Sequence, residues 1–199
     1  MVVLDVGASF GLFTIAAARI VGPSGRVFAF EPSQTTASAL RRHLRWNGVA
    51  DRVEIVGAAV GDASGRETFW EQETSFVASL LERAARQEER RFGSPVEPRV
   101  VPAVTLDDFC RRLRLEPDVV KVDVEGAEAC VLRGSHRLLR RRKASLFLEV
   151  HHALLGEAGR SADEVFRELE AAAWTWEQVE ADAAKSHYVC TPRRLAQRR

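Results

Sequence analysis

Short apolar runs alternate with segments of helical period along most of this chain, and that alternation limits its fold more than any other feature. Val2–Val6 is apolar but for Asp5, and a glycine-containing turn leads from it into a helix over about residues 10–21, whose predicted inner face carries Leu12, Ile15, Ala16 and Ile20. Gly22-Pro23 ends that helix. Arg26–Phe30 and Val53–Val56 read as the next strands, with a helix over about residues 33–46 between them that stops at Asn47-Gly48. Strands separated by helices are joined by crossovers, so the expected class is α/β, a doubly wound and mostly parallel sheet with helices on both faces.

The order loosens in the middle. Residues 67–70 and 99–101 read as short strands of an inserted hairpin, and the polar stretch 75–92 between them is expected to fold over a neighbouring site as a lid. Thr105-Leu-Asp-Asp108 has near-capping-box spacing for a helix to about residue 113. Residues 119–124 form a strand, 127–142 a helix and 145–150 a strand, and Ser161-Ala-Asp-Glu164 is a capping box for a helix to about residue 173. Two last runs, near 174–179 and 186–190, lie close enough to pair as an antiparallel hairpin at a sheet edge. At 199 residues the chain makes one domain, 1–199, because two would each hold a marginal core.

Composition excludes several classes. With 46% hydrophobic and 29% charged residues the chain is an ordinary globular one, and its formal net charge of +1 supplies no overall field for a polyanion. The basic runs Arg111-Arg112 and Arg140-Arg-Arg-Lys143 fall at helix C-termini, where the dipole favours cations, and lack interleaved aromatics, so no nucleic-acid partner is expected. Cys110, Cys130 and Cys190 are odd in number and share no C-x-x-C spacing, which argues against a disulfide framework or zinc cluster and fits a reducing cytoplasmic setting. No apolar run approaches the ~20 residues that span a bilayer, and no membrane partner is expected.

Asp5-Val-Gly7-Ala8-Ser9-Phe10-Gly11 lies where the first strand gives way to the first helix, a place where glycines let a ligand approach backbone N–H groups. The spacing is G-x-x-x-G, not the G-x-G-x-x-G that seats a dinucleotide pyrophosphate, which disfavours an NAD-dependent oxidoreductase. Asp5, two residues before Gly7, repels phosphate and attracts an ammonium group, such as the one at the methionine end of S-adenosylmethionine. Glu31, at the end of the second strand and followed by Pro32, is placed to accept bonds from two ribose hydroxyls. After the third strand, the backbone of the Ala58-Ala59 turn, which Asp62 follows, is expected near adenine.

Lys121-Val-Asp123-Val-Glu125-Gly-Ala-Glu128 closes the next parallel strand. Alternation puts Lys121 and Asp123 on one face and Val120, Val122 and Val124 on the other, and charges inside such a strand are costly unless paired or functional. Lys121 reads as one half of a structural ion pair and Glu128 as a helix first-turn charge. The next strand ends Leu148-Glu149-Val-His151, with Glu149 and His151 on one face at the same edge as Asp123. Three readings stay open for this group: a general base oriented by an acid, oxygen and nitrogen ligands for Mg²⁺, or structural polar residues.

Asp5-Val-Gly-Ala-Ser-Phe-Gly-Leu-Phe-Thr14, Phe30-Glu-Pro32, Thr105-Leu-Asp107, Lys121-Val-Asp-Val-Glu-Gly-Ala-Glu128 and Leu148-Glu-Val-His151 together resemble the FkbM-type family of S-adenosylmethionine-dependent methyltransferases. The resemblance covers the first strand to about residue 151. It implies the seven-stranded class I methyltransferase (Rossmann-like) sheet, S-adenosylmethionine as cofactor with S-adenosylhomocysteine as product, and methylation of a hydroxyl on a sugar, polyketide or similar small metabolite. A non-catalytic cofactor-binding protein of the same fold is the alternative. Ser9 stands where the family usually has Asn, and Met1 directly precedes the first strand, so the expectation is a minimal form or a fragment without part of the substrate cover. The cofactor set is then Asp5, Gly7, Ala8, Ser9, Phe10, Gly11, Glu31, Pro32, Ala58, Ala59 and Asp123, and the catalytic set is Asp123, Glu125, Glu149 and His151. Glu125 and His151 are the leading bases.

Overall fold

The computed structural model describes residues 1–72, 78–83, 85, 86, 89 and 95–193. In chain order its elements are β1 (Val2–Val6), α1 (Leu12–Val21), β2 (Arg26–Phe30), α2 (Gln34–Trp46), β3 (Val53–Val56), β4 (Ala59–Val60), β5 (Gly65–Gln72), β6 (Ala78–Ser79), β7 (Val96–Val104), α3 (Leu106–Leu113), β8 (Val119–Val122), α4 (Glu128–Arg133), α5 (His136–Arg141), β9 (Ser145–Val150), α6 (His152–Glu157), α7 (Ala162–Ala171), β10 (Trp174–Ala181) and β11 (Ser186–Pro192).

Seven strands form the main sheet in the order β10-β11-β9-β8-β1-β2-β3. Neighbours from β9 to β3 are parallel, while β11 runs antiparallel to both β9 and β10, which gives the expected hairpin at the edge. The chain leaves β1 toward β2 and β3 on one side and returns to place β8 and β9 on the other. The order reverses between β1 and β8, and the crevice at the carboxyl ends of those two strands is where open α/β sheets bind ligands.

Period-2 alternation divides the core into two layers. Val3, Val27 and Ala29 pack with Ala17, Ala18, Leu40 and Leu44 of α1 and α2. On the opposite face Leu4, Val6, Phe28, Phe30, Val120 and Val122 meet Phe109, Leu132 and Leu139. The Phe109 ring stands edge-on to Phe28 and Phe30, with centroids 5.3 and 4.8 Å away. No helix among the described residues is long and apolar enough to cross a membrane.

Four sequence expectations need correction. The inner face of α1 is Thr14, Ala17, Ala18 and Val21, whereas Leu12 and Ile20 are 90% and 75% exposed. The turn into α1 sets its phase: Gly11 caps it at φ 91, Thr14 donates a short hydrogen bond to Asp5, and small residues face the sheet. The predicted helix over 127–142 is two helices, and Gly134 between them packs where a side-chain carbon would lie 2.0 Å from the Gly61 carbonyl oxygen. Ser161 caps α7 through the Asp163 N–H, but no capping box closes, since Glu164 binds Arg160 at 3.0 Å instead.

The inserted hairpin is, lastly, the centre of a four-stranded sheet, β4-β7-β5-β6. The flanking strands have two residues each, too few to show a period in sequence. The lid expected over 75–92 lies in part outside the described residues; within it, Leu80 borders the crevice.

Candidate active site

Gly7 has φ 79, and a side-chain carbon on it would lie 1.8 Å from the Asp123 carbonyl oxygen. Glycine is therefore what lets the loops after β1 and β8 touch at the switch point. The N–H groups of Gly7 and Ala8 both donate to the Phe30 carbonyl, at 3.2 and 3.0 Å, so the turn is locked to the end of β2. Ser9 has φ 48, and its N–H donates to Glu31 Oε2 at 3.0 Å. Ser33 N–H donates to Glu31 Oε1 at 2.9 Å. Each Glu31 oxygen keeps a lone pair, and the carboxylate points into the crevice. Burial pushes its carboxyl up to about 7, against the pull of the two N–H donors.

Behind this loop lies a buried charge cluster. Lys121 Nζ donates to the Gly7 carbonyl at 2.9 Å and sits 3.4 Å from Asp5 Oδ1 and 3.1 Å from Asp123 Oδ2. Burial works against its charge, but Asp5 and Asp123 outweigh that and raise its pKa. Asp5, expected to hold an ammonium group, is fully buried, and the ammonium it meets here is that of Lys121. Burial raises the Asp5 carboxyl above the ordinary carboxylate range, with Lys121 and the Thr14 hydroxyl opposing.

A second cluster stands at the ends of β8 and β9. His151, 5% exposed, has Nδ1 2.7 Å from Glu128 Oε1, and Glu128 is itself fully buried and accepts the Gly126 N–H at 2.9 Å. His151 Nε2 faces Glu149, Glu125 and Asp123 at 3.2, 3.4 and 3.6 Å. Burial disfavours charge on the imidazole, yet Glu128, Glu149 and Glu125 overcome it and push His151 up to about 11. Glu125 is carried up to about 7 by burial; His151 opposes, and Asp123, Glu128 and Glu149 reinforce. Glu149 moves the other way despite burial, to about 2, because His151 and Lys185 bind it.

Glu125 also has φ 52, a left-handed conformation that costs a residue with a side chain roughly 1–2 kcal/mol. The Ser79 hydroxyl of β6 donates to its carbonyl at 2.8 Å, so the inserted sheet holds the strained turn in place.

A cavity of about 240 Å³ runs along this edge. Of the predicted cofactor set, Gly7, Ser9, Glu31, Pro32, Ala58, Ala59 and Asp123 line it, and Glu125 stands at the same wall. Ala8 and Phe10 line a separate basin of about 630 Å³ on the α1 side, together with Glu149, Leu12, Phe147 and Val179. Asp5, Gly11 and His151 line neither; Gly11 packs on Leu40, where a side-chain carbon would lie 2.2 Å from Cδ1. Asp62, which follows the Ala58-Ala59 turn, is bound to Arg133 at 3.3 Å.

Two of the chain's own motif residues have larger parts than their sequence context suggests. Lys121 ties the two loops together, and Glu128 anchors His151 from below. The K-x-D alternation marks the first; nothing local marks the second, whose partner is 23 residues away. Ser79 carries no sequence signal at all.

The sequence profile of the family described as methyltransferase FkbM domain matches residues 5–174. Among curated proteins, the 2-O-methyltransferase NoeI of Sinorhizobium fredii is 27% identical over 154 residues, which cover 71% of this chain and 60% of that protein. The chain spans between 9% and 65% of the length of the curated relatives it matches. Among solved structures, an FkbM methyltransferase of Methylobacillus flagellatus superposes with a TM-score of 0.62 at 18% identity, covering 94% of this chain and 42% of the other. The O-methyltransferase TomG of Streptomyces achromogenes, in complex with SAM, gives a TM-score of 0.56 at 17% identity, covering 95% and 71%.

Proposed function

The chain belongs to the methyltransferase FkbM domain family, and from that premise we propose that it transfers a methyl group from S-adenosylmethionine to a hydroxyl of a small metabolite. The observation that carries the cofactor reading is Glu31: a carboxylate fixed by two backbone N–H groups, aimed into a cavity that ends at Asp123 and Glu125. It accepts the two ribose hydroxyls, the Ala58-Ala59 backbone borders the base, and the Gly7–Ser9 turn borders the methionine end. Asp5 acts through Lys121, which holds the Gly7 carbonyl and one Asp123 oxygen in place. The names of NoeI and TomG, both O-methyltransferases, support oxygen as the acceptor atom.

The sulfonium makes the methyl carbon electrophilic, so the chain has to align an oxygen with it at roughly 3 Å and to take that oxygen's proton. The new C–O bond forms as the C–S bond breaks, S-adenosylhomocysteine leaves as a neutral thioether, and the proton passes to Glu125. Glu125 suits this role by position: it lines the cavity with its side chain 33% exposed, while His151 lies behind it, 3.4 Å away and braced by Glu128. His151 is then a positioning residue.

Calorimetry with S-adenosylhomocysteine, followed by turnover with hydroxylated acceptors, tests both halves. Binding that survives Glu31→Ala unchanged removes the ribose assignment. Cofactor binding without product from any hydroxylated acceptor favours a non-catalytic binding protein.

A further inference from the structure

The cluster at the ends of β8 and β9 has the geometry of a metal centre. Asp123, Glu125 and His151 each present a donor atom, and these atoms all lie within 4.8 Å of one another. His151 Nε2 is shut off from solvent and makes no well-aligned hydrogen bond, although three carboxylate oxygens stand 3.2–3.6 Å from it. Those separations match the edges of a coordination shell. With bonds of about 2.1 Å, ligand atoms 90° apart are about 3.0 Å from each other and those at the tetrahedral angle about 3.4 Å. The other ring nitrogen is bound to the buried Glu128 carboxylate, the carboxylate–histidine arrangement that orients an imidazole toward a metal. Charge points the same way: five carboxylates, Asp5, Asp123, Glu125, Glu128 and Glu149, stand against the Lys121 and Lys185 ammonium groups and the His151 imidazole, with His187 at the rim.

We propose that Asp123, Glu125 and His151 bind a divalent cation at the carboxyl edge of β8 and β9, with Glu149 beside the site and Glu128 orienting His151 from behind. One nitrogen and two or three carboxylate oxygens suit Mn²⁺, Fe²⁺ or Zn²⁺ better than Ca²⁺, which takes oxygen ligands alone. The cation displaces the Nε2 proton to solvent and takes the lone pair this frees, so its uptake releases one proton and leaves the imidazole with a proton on Nδ1 only, shared with Glu128. Its catalytic consequence rests on the O-methyl-transfer reading: a hydroxyl bound to a dication is more acidic, and the free Glu125 oxygen receives its proton. Binding of the cation does not depend on that reading.

Titration of the purified chain with Mn²⁺, followed by electron paramagnetic resonance and by calorimetry, tests the site. One Mn²⁺ per chain is expected, and Asp123→Asn, Glu125→Gln and His151→Ala should each weaken it at least tenfold. Glu128→Gln, which touches no metal, should weaken it about 10–100-fold, and Glu116→Gln, in an exposed ion pair elsewhere, should leave it unchanged. Thermal unfolding checks each variant. If His151→Ala does not fold, the partly exposed Asp123 and Glu125 decide the question. Absence of saturable binding at millimolar Mn²⁺ and Zn²⁺, or binding indifferent to Asp123→Asn and Glu125→Gln, overturns the proposal. S-adenosylhomocysteine affinity, measured without metal, separates the readings: its loss with Mn²⁺ binding intact removes the function and leaves the cation site.

Discussion

Lys121 donates to the Gly7 carbonyl at 2.9 Å across the β1–β8 boundary, and in doing so it joins the two loops between which the ligand crevice opens. The same ammonium pairs with both Asp5, fully buried, and Asp123 at the rim. Lys121→Met removes the cation and leaves both carboxylates facing each other. Breaking a buried pair from one side costs about 3 kcal/mol or more, so denaturant unfolding should show a loss of that order, with weaker S-adenosylhomocysteine binding. A stability loss below about 1 kcal/mol would show that Lys121 is dispensable to the buried cluster.

Gly7 and Gly48 both have positive φ, 79 and 67, but only Gly7 is also blocked. Nothing lies within 4 Å of a side-chain carbon built on Gly48. Gly48→Ala should therefore cost about 1 kcal/mol, the strain of the left-handed conformation alone. Gly7→Ala adds a collision with the Asp123 carbonyl and should abolish cofactor binding, with a melting temperature far below that of Gly48→Ala. Equal melting temperatures would refute the close approach.

Glu31 titrates near neutrality, about 7 against an ordinary 4.5. Because its folded pKa is raised, the unfolded chain ionises first as pH climbs. The stability it contributes is complete below pH 4.5 and is lost as pH rises through about 7. Ribose binding runs opposite, since the ionised carboxylate makes the stronger hydrogen bonds. S-adenosylhomocysteine affinity should rise from pH 6 to pH 8, and Glu31→Gln should flatten that rise. A pH-independent affinity in the wild-type chain would refute the link.

Asp107 belongs to a motif of the family resemblance yet serves the fold, because its carboxylate accepts the Arg137 and Leu138 N–H groups at 2.8 and 2.9 Å and so caps α5. Asp107→Ala should cost about 1 kcal/mol of stability and leave cofactor affinity and turnover as they are. Impaired cofactor binding at unchanged stability would assign Asp107 to the site instead.

The parallel half of the fold was legible in the sequence because apolar period and helix stops are local properties. Val2–Val6, Arg26–Phe30, Val53–Val56 and Ser145–Val150 are strands at the residues where their short apolar runs predict them. The glycine turn and Glu31 were legible for the same reason, since both sit at strand ends and backbone chemistry marks them. The face of α1 was not: the turn at Gly11 and the bond from Thr14 to Asp5 set the helix phase, and small residues pack inward while Leu12 stays exposed.

What the sequence determined alone was the order of strands and helices and the acidic, glycine-rich character of their carboxyl ends. Only the tertiary structure decided which of those charges meet. Lys121 reaches Asp5 because β8 pairs beside β1, Glu128 finds His151 because α4 starts beneath the end of β9, and Ser79 reaches the Glu125 carbonyl from a separate sheet. Each of these contacts joins segments whose separation along the chain sets no distance between them. Sheet order sets that distance, and burial makes the resulting ion pairs and hydrogen bonds strong enough to fix the site.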